Sequence, residues 1–453
     1  MKIAIIGAGP GGMAAAAHAV KHNAEVIVIE NDGLGGACLQ RGCIPTKALI
    51  AVCKILEKHK KAANFGFTKL DAEINYENVF ARNEKVIKSQ ENAIELTFKN
   101  SKINLIKGRA VLMGEGKIEI ISADGTVQEI AIDKIILATG SVPVKPKIFD
   151  FSNKNIITSD EVLKLKDIPK EMLIVGGGVI GLEFAYIFNS FGCKVTVVEM
   201  MDQVLPGIDM ELSGTLAREL KKKGVNILTG TKVESVVSKG DKIDVLTSKD
   251  TFAVDTVLVA IGRAPNSAGL VKVGARRAVP LLDTDAKGFV KVNKNFETSI
   301  SNVYAIGDLI GNPMLAHKAS FDGIMAVKAI FGEKIDVDYS NVPGCIYTIP
   351  EVSSVGLSEE AAKAKNINYT VKKYFNRALG IAWANEEIEG FAKILVNKEN
   401  NEIIGMHLLG SASTELIGLG AVIVKNKLKI TDIAESIFPH PTFSENIFEA
   451  AHS

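Results

Sequence analysis

Short runs without a polar residue alternate with glycine turns and helical stretches along the first part of this chain. Residues 3–6 (Ile-Ala-Ile-Ile) are wholly apolar, as in a strand buried on both faces. Gly7-x-Gly9-x-x-Gly12 follows, and the alanine-rich stretch to about Lys21 predicts a helix. Residues 25–29 predict a second strand, closed by Glu30. The pattern then returns. Met172 to Val175 is apolar, Gly176-x-Gly178-x-x-Gly181 follows, a helix is expected from Val179 to Phe191, and the strand Lys194 to Val198 ends at Glu199.

Between and after the two copies the periodicity changes. Residues 48–62 predict a helix, and the charged, amphipathic stretch 71–99 a long solvated one. Residues 103–132 alternate around a turn at Ala123-Asp124-Gly125, which suggests a small antiparallel meander. Lys134 to Gly140 reads as a buried strand ending in a glycine turn, and Ser141 to Pro146 as a crossover between domains. A second strand and crossover run from Thr256 to Asn266. Val303 to Asp308 is a short strand with an acid at its end, and Leu315 to Ala319 starts a helix. From about Pro343 strands and amphipathic helices alternate with no further glycine fingerprint. The fold class expected is α/β, with two Rossmann-like dinucleotide-binding domains and a C-terminal α+β domain. The boundaries fall at 1–145, 146–262, a return segment 263–337 to the first domain, and 338–453.

Each glycine motif lies between a strand and a helix, and its acid stands at about the 20-residue offset of a ribose-binding carboxylate. The glycines permit a tight turn and close approach to a pyrophosphate, which the helix N-terminus faces. Two copies imply two dinucleotide sites. Glu199 repels a 2′-phosphate, and no Lys or Arg follows it until Arg218, so the second nucleotide is expected to be NAD rather than NADP.

Composition narrows the picture. The 453 residues are 47% hydrophobic and 23% charged, with a net charge of +1, which gives no electrostatic case for nucleic acid or an anionic membrane surface. Ile3 to Val20 lacks charge and could pass for a signal peptide or membrane span, but Gly7, Gly9, Pro10, Gly11 and Gly12 would break an apolar helix. Five cysteines are too few, and odd in number, for a secreted disulfide scaffold. A reducing compartment, the cytoplasm, is expected, with any disulfide catalytic.

Cys38 and Cys43 carry the chemistry. Four residues separate them, with Gly35-Gly36 before and Pro45 after. A local distortion can bring the sulfurs to bonding distance, and so small a loop gains little from chain entropy, which favours a pair that opens and closes. Two buried thiols, or half a metal site, are the plainer alternatives. A zinc site here would want a second Cys or His pair, and no metal is expected. Glu183, inside an otherwise apolar helix, is expensive to bury without a partner. Cys53, Cys193 and Cys345 read as buried packing thiols and His317 as structural. His18, His22, His59, His407 and His452 carry no functional signature.

These residues together resemble the flavin-linked pyridine-nucleotide disulfide oxidoreductases, almost end to end. The glycine motif with Glu30, GGxCxxxxCxPTK, Ala-Thr-Gly140, GGGxIGxE at 176–183, Gly262-Arg-Ala-Pro-Asn266, Gly307-Asp308 and His440-Pro-Thr stand in family order. Pro313 to Ala319, Glu199 and the Pro-His-Pro-Thr ending favour the lipoamide-linked subgroup.

The resemblance implies oxidation of protein-bound dihydrolipoamide to lipoamide, with electrons passing to NAD. The alternative is a related reductase of another low-molecular-weight disulfide using NAD(P)H. It implies FAD in the first site, held by Gly7, Gly9, Gly12, Glu30, Lys47, Thr139, Gly140, Asp308 and Ala316. It implies NAD in the second, held by Gly176, Gly178, Gly181, Glu199 and Gly262. Cys43 would lie against the flavin and Cys38 exchange with substrate, with Lys47 paired to Glu183. His440, oriented by Glu445, would reach Cys38 of the partner subunit in a homodimer, the C-terminal domain forming the interface. The implied partner is the lipoyl domain of a 2-oxo acid dehydrogenase complex or the glycine cleavage H protein. Phe438 stands where many relatives carry a further His, and no cysteine pair lies near the C-terminus, which speaks against mercuric reductase.

Overall fold

The computed structural model describes residues 1–68, 73–114, 116–271, 282–311 and 313–453. The chain divides into two compact units, each assembled from three separate stretches. Unit 1 takes Met1–Ala48, Phe80–Val144 and Gly262–Val337; unit 2 takes Leu49–Val79, Lys145–Ile261 and Asp338–Ser453.

Unit 1 is built on a five-stranded parallel sheet. Its centre is β1 (Lys2–Ile6), flanked by β2 (Glu25–Glu30) and then β3 (Asn104–Lys107) on one side. On the other side lie the strands Lys134–Leu137 and Val303–Ala305. Ile3, Ala4 and Ile5 are wholly buried, as a strand covered on both faces requires. Helix α1 (Pro10–Lys21) packs along helix Ala316–Ile330, and small residues (Gly11 and Ala15 on one, Gly323 on the other) let the two approach.

The stretch 103–132 does not all form a meander. Residues 109–131 do, as three antiparallel strands, but β3 pairs in parallel with β2, Ile27 opposite Asn104, and closes the edge of the main sheet. The long helix Tyr76–Asn100 is mostly exposed, burying Phe98 and Asn83. Residues 71 and 72 of that expected helix, and 115 of the meander, lie outside the described residues.

Unit 2 repeats this plan. Its parallel sheet runs Asn226–Leu228, Lys194–Val198, Glu171–Val175, Thr256–Val259 and Ile156–Thr158. A three-stranded antiparallel meander (233–254) again follows the strand Asn226–Leu228, as 109–131 follows β3 in unit 1. The repeats differ at one edge. Unit 1 supplies that strand late in the chain, at 303–305, and unit 2 supplies it before its glycine motif, at 156–158. The C-terminal part is an antiparallel sheet of Gly344–Ile346, Val352–Gly356, Ile403–Leu409, Phe391–Asn397 and Tyr369–Phe375, covered by helices Ser413–Lys425 and Glu445–His452. No helix among the described residues is long and apolar enough to cross a membrane.

Candidate active site

In unit 1 the glycine loop leads from β1 into α1. Gly7 has φ +109°, and a Cβ there would lie 2.3 Å from the Ala138 carbonyl oxygen; a Cβ on Gly12 would lie 1.9 Å from the Gly7 oxygen. Gly9 is the N-cap of α1, with no side-chain cap on the first amides. This is a cradle shaped for the pyrophosphate of a dinucleotide. Glu30 clamps it: Oε2 accepts the Ala8 N–H at 2.7 Å and Oε1 the Asp32 N–H at 2.9 Å.

Unit 2 reproduces the clamp. Gly176 has φ +108°, with a Cβ 2.4 Å from the Ala260 oxygen, and Gly181 meets the Gly176 oxygen at 2.0 Å. Glu199 Oε2 accepts the Gly177 N–H at 2.6 Å and Oε1 the Met201 N–H at 2.8 Å. Gly178 caps the helix Val179–Ser190.

The redox stretch is fastened to the first glycine loop. The Gly35 N–H donates to the Ala8 carbonyl at 2.9 Å, and a Cβ on Gly36 would sit 2.8 Å from the Gly9 Cα. Gly35 and Gly36 both take positive φ and turn the chain into α2 (Gly36–Arg41), which carries Cys38 half-buried. Gly42 breaks the helix, and α3 (Cys43–Lys60) begins on the exposed Cys43. Both are thiols in this structure. The hydrogen bond to Cys43 pushes the Cys38 thiol well above the ordinary range; burial and the Cys43 charge add to this, and the Lys47 cation opposes it.

The two crossovers pair with each other, Ser141–Pro143 against Arg263–Pro265. The Ser141 hydroxyl donates to Asp308 Oδ2 at 2.6 Å and accepts from Arg263 Nε at 2.8 Å. Thr139 Oγ1 donates to the Asn266 carbonyl at 2.8 Å, and the Asn266 N–H donates to the Gly140 carbonyl at 2.9 Å. Ala316 is the first residue of the helix Ala316–Ile330. Gly262, expected at the second nucleotide, opens the third stretch of unit 1, where its carbonyl accepts the Val144 N–H.

Lys318 and Asp322 went unread in the sequence. Both are fully buried and pair at 2.8 Å, one turn apart. Asp322 accepts the Gly307 N–H at 3.0 Å, and Lys318 donates to the Gly307 and Gly311 carbonyls. They hold the loop that carries Asp308. The available signal was two opposite charges at i, i+4 on an apolar helix.

In unit 2, Glu183 is buried and its Oε1 accepts the Tyr347 N–H at 3.0 Å. His440 Nδ1 lies 2.8 Å from Glu445 Oε1, and Glu445 Oε2 accepts the Thr442 N–H at 2.9 Å. Burial pulls the Glu445 carboxyl upward, but the bonds from His440 and Thr442 outweigh it and hold the acid below its usual range. Cys53 and Cys193 are buried, and burial pushes each thiol up to about 12. Cys345, expected to be a buried packing thiol, is only partly buried, though it does pack against the C-terminal core from the edge strand Gly344–Ile346.

The pyridine nucleotide-disulphide oxidoreductase family matches residues 1–323, and its dimerisation domain matches residues 342–451. The chain belongs to this family. As a disulphide oxidoreductase of this kind it is 35% identical to the dihydrolipoyl dehydrogenase of Bacillus subtilis, over 99% of this chain and 97% of that one. It is 37% identical to the dihydrolipoyl dehydrogenase of Chlamydia trachomatis, over 99% and 95%. LpdA from Mycobacterium tuberculosis superposes with a TM-score of 0.92 at 27% identity, covering 100% of this chain and 99% of that one. The HOCl-induced flavoprotein disulfide reductase RclA from Escherichia coli superposes at 0.89 and 26% identity, covering 100% and 99%. The C-terminal domain is thus the family's dimerisation domain, and the protein is a homodimer.

Proposed function

We propose that the protein reoxidises protein-bound dihydrolipoamide to lipoamide through Cys38 and Cys43, with FAD as the flavin and NAD+ as the acceptor that leaves as NADH. The likeness to dihydrolipoyl dehydrogenases over 99% of the chain carries this reading.

In the oxidised enzyme Cys38 and Cys43 are a disulfide. A substrate thiol gives up its proton and attacks the Cys38 sulfur, and the Cys43 sulfur leaves as a thiolate. The second substrate thiolate then attacks the substrate sulfur bonded to Cys38. Oxidised product leaves, and Cys38 takes a proton. Two thiols have become one disulfide, and the electron pair rests on the Cys38–Cys43 dithiol. The first glycine loop with Glu30 would hold FAD, which would supply the two-electron acceptor for that dithiol, and the second with Glu199 would hold NAD+, the final hydride acceptor.

The Glu445 carboxylate orients His440 through Nδ1–H and leaves Nε2 to take the substrate proton. That base serves Cys38 of the partner subunit. Lys47 would serve the flavin site of unit 1. Glu30 and Asp308 serve the flavin nucleotide, and Glu199 the NAD ribose. The partner is a lipoyl domain, of a 2-oxo acid dehydrogenase complex or the glycine cleavage system, in the cytoplasm.

The experiment is NADH formation from dihydrolipoamide by flavin-loaded protein, with NAD+ and NADP+ compared. Turnover with NAD+ that Cys43→Ser abolishes is the expected result. The RclA likeness favours a second reading, reduction of another small disulfide. Flavin-loaded protein inert toward dihydrolipoamide but oxidising NAD(P)H with such a disulfide would establish that reading instead.

A further inference from the structure

On the surface of unit 1, two helix ends bring three donor groups together. His18 and His22 stand four residues apart on α1, one above the other on the same face. Glu333 lies just past the end of helix Ala316–Ile330. One ligand atom from each of the three lies within 4.8 Å of the other two. The corresponding edge in a tetrahedral zinc shell is about 3.4 Å, from metal–ligand bonds of about 2.0–2.1 Å. His22 Nε2 and Glu333 Oε1, 3.4 Å apart, already stand at that separation.

The backbone around these groups is set. Gly332 takes φ +80°, and the Glu333 N–H returns to the Lys328 carbonyl at 2.9 Å, closing the helix end. The His22 N–H caps α1 on the Ala19 carbonyl, and its ring stacks on Phe331 at 4.4 Å. Three further features point to a ligand. His18 Nε2 is buried and has no hydrogen-bond partner. His22 Nε2 lies 3.4 Å from Glu333 Oε1, beyond the usual hydrogen-bond length. Glu333 Oε2 is turned to Lys328 at 3.5 Å, so Oε1 is left facing the imidazoles. An orphaned imidazole nitrogen, a second imidazole one turn on and a carboxylate match the two-His, one-carboxylate donor set of zinc, with water completing four ligands.

We propose that His18, His22 and Glu333 form a zinc site that ties the C-terminal end of α1 to that of helix Ala316–Ile330. α1 carries the first glycine loop at its other end, and the partner helix carries Lys318 and Asp322, which hold the Asp308 loop. Zinc therefore stiffens the two helices that position both ends of the flavin cradle.

The test is a zinc titration of the flavin-loaded homodimer against a chromophoric zinc indicator, with thermal unfolding read in parallel. Cys38→Ser/Cys43→Ser removes the other soft ligands. One equivalent per subunit is expected to bind to that variant as to the oxidised wild type. Glu333→Gln, a surface change that leaves the fold intact, is expected to weaken zinc by more than about tenfold and to abolish the zinc-induced rise in Tm. His18→Gln/His22→Gln is expected to bind none. Equal zinc affinity in wild type and Glu333→Gln, loss of the bound zinc in the cysteine variant, or no binding to the oxidised wild type each overturns the proposal.

Discussion

His440 and Glu445 face each other at 2.8 Å, Nδ1 to Oε1, five residues apart at the start of the last helix. The second carboxylate oxygen is tied to the Thr442 amide, so the acid is fixed before it orients the ring. His440→Gln is expected to lower kcat with dihydrolipoamide by about 10²- to 10⁴-fold. Glu445→Gln keeps the ring but loosens it, and falls between that variant and wild type. Steady-state NADH formation with flavin content held equal checks both, and wild-type rates in His440→Gln would remove the base from the mechanism.

Glu30 and Glu199 form the same two-amide clamp, one in each unit. A glutamine can accept only one of the two N–H bonds, and its NH2 opposes the other. Glu30→Gln is expected to weaken flavin retention by about 10- to 100-fold while sparing the NAD KM. Glu199→Gln is expected to do the reverse. Flavin absorbance after desalting and the KM for NAD+ separate the two, and an identical phenotype would show that the clamps do not act locally.

Lys318 and Asp322 pair with almost no exposure. Lys318→Met strands a buried carboxylate and is expected to destabilise the protein by about 3–5 kcal/mol in denaturant unfolding. Lys318→Met/Asp322→Leu removes both charges and recovers much of that loss. Flavin is expected to dissociate faster from both, because the Gly307 loop loses its anchor. A single variant as stable as wild type contradicts the assignment.

Asp209 and Lys393 form a second buried pair, at 2.9 Å, with Glu359 on the same ammonium at 2.5 Å. Burial raises the Asp209 pKa, but the Lys393 bond, the charges of His407 and Lys393 and the Leu212 amide together outweigh it, and the pKa ends low. Burial lowers that of Lys393, but Glu359 and Asp209 outweigh it and the pKa ends high. The aspartate's contribution is full above the ordinary carboxylate pKa of about 3.9 and disappears as pH falls through the lower folded value. The lysine's is full below about 10.4 and disappears as pH rises through the higher folded value. The stability gap between wild type and Lys393→Met is therefore expected to be widest near neutrality and to narrow at both extremes. A gap independent of pH in thermal unfolding rules this out.

The features legible in the sequence are local. Each glycine loop and its acid lie within one strand–helix–strand unit, and so do Cys38 and Cys43. The structure ties Gly35 and Gly36 to the loop of Ala8 and Gly9, a closeness that chain order already suggested. His440 and Glu445 share one turn. What was not legible depends on distant pairing. Residues 104–107 alternate as a meander strand does, and only β2 decides that they close the parallel sheet. Lys393 sits in a strand whose pattern gives no reason for a charge until Asp209, far back in the chain, is set against it. Cys345 has apolar neighbours in sequence, but its strand lies at a sheet edge. His18 and His22 looked unremarkable because their third partner lies at the far end of another helix.

The chain passes from one unit to the other five times, and the last piece of unit 1 ends only at Val337. On a ribosome, β1, β2 and β3 emerge early, but the edge strand Val303–Ala305 and its packing helix appear only after most of the protein has been made. The first glycine loop leaves the exit tunnel long before helix Ala316–Ile330, on which α1 packs, exists. For most of synthesis the alanine face of α1 is then an uncovered apolar surface, and nascent-chain chaperones have it to bind. A truncation before residue 303 leaves that sheet with an open edge rather than a smaller working domain, so neither unit can be expressed as one continuous fragment.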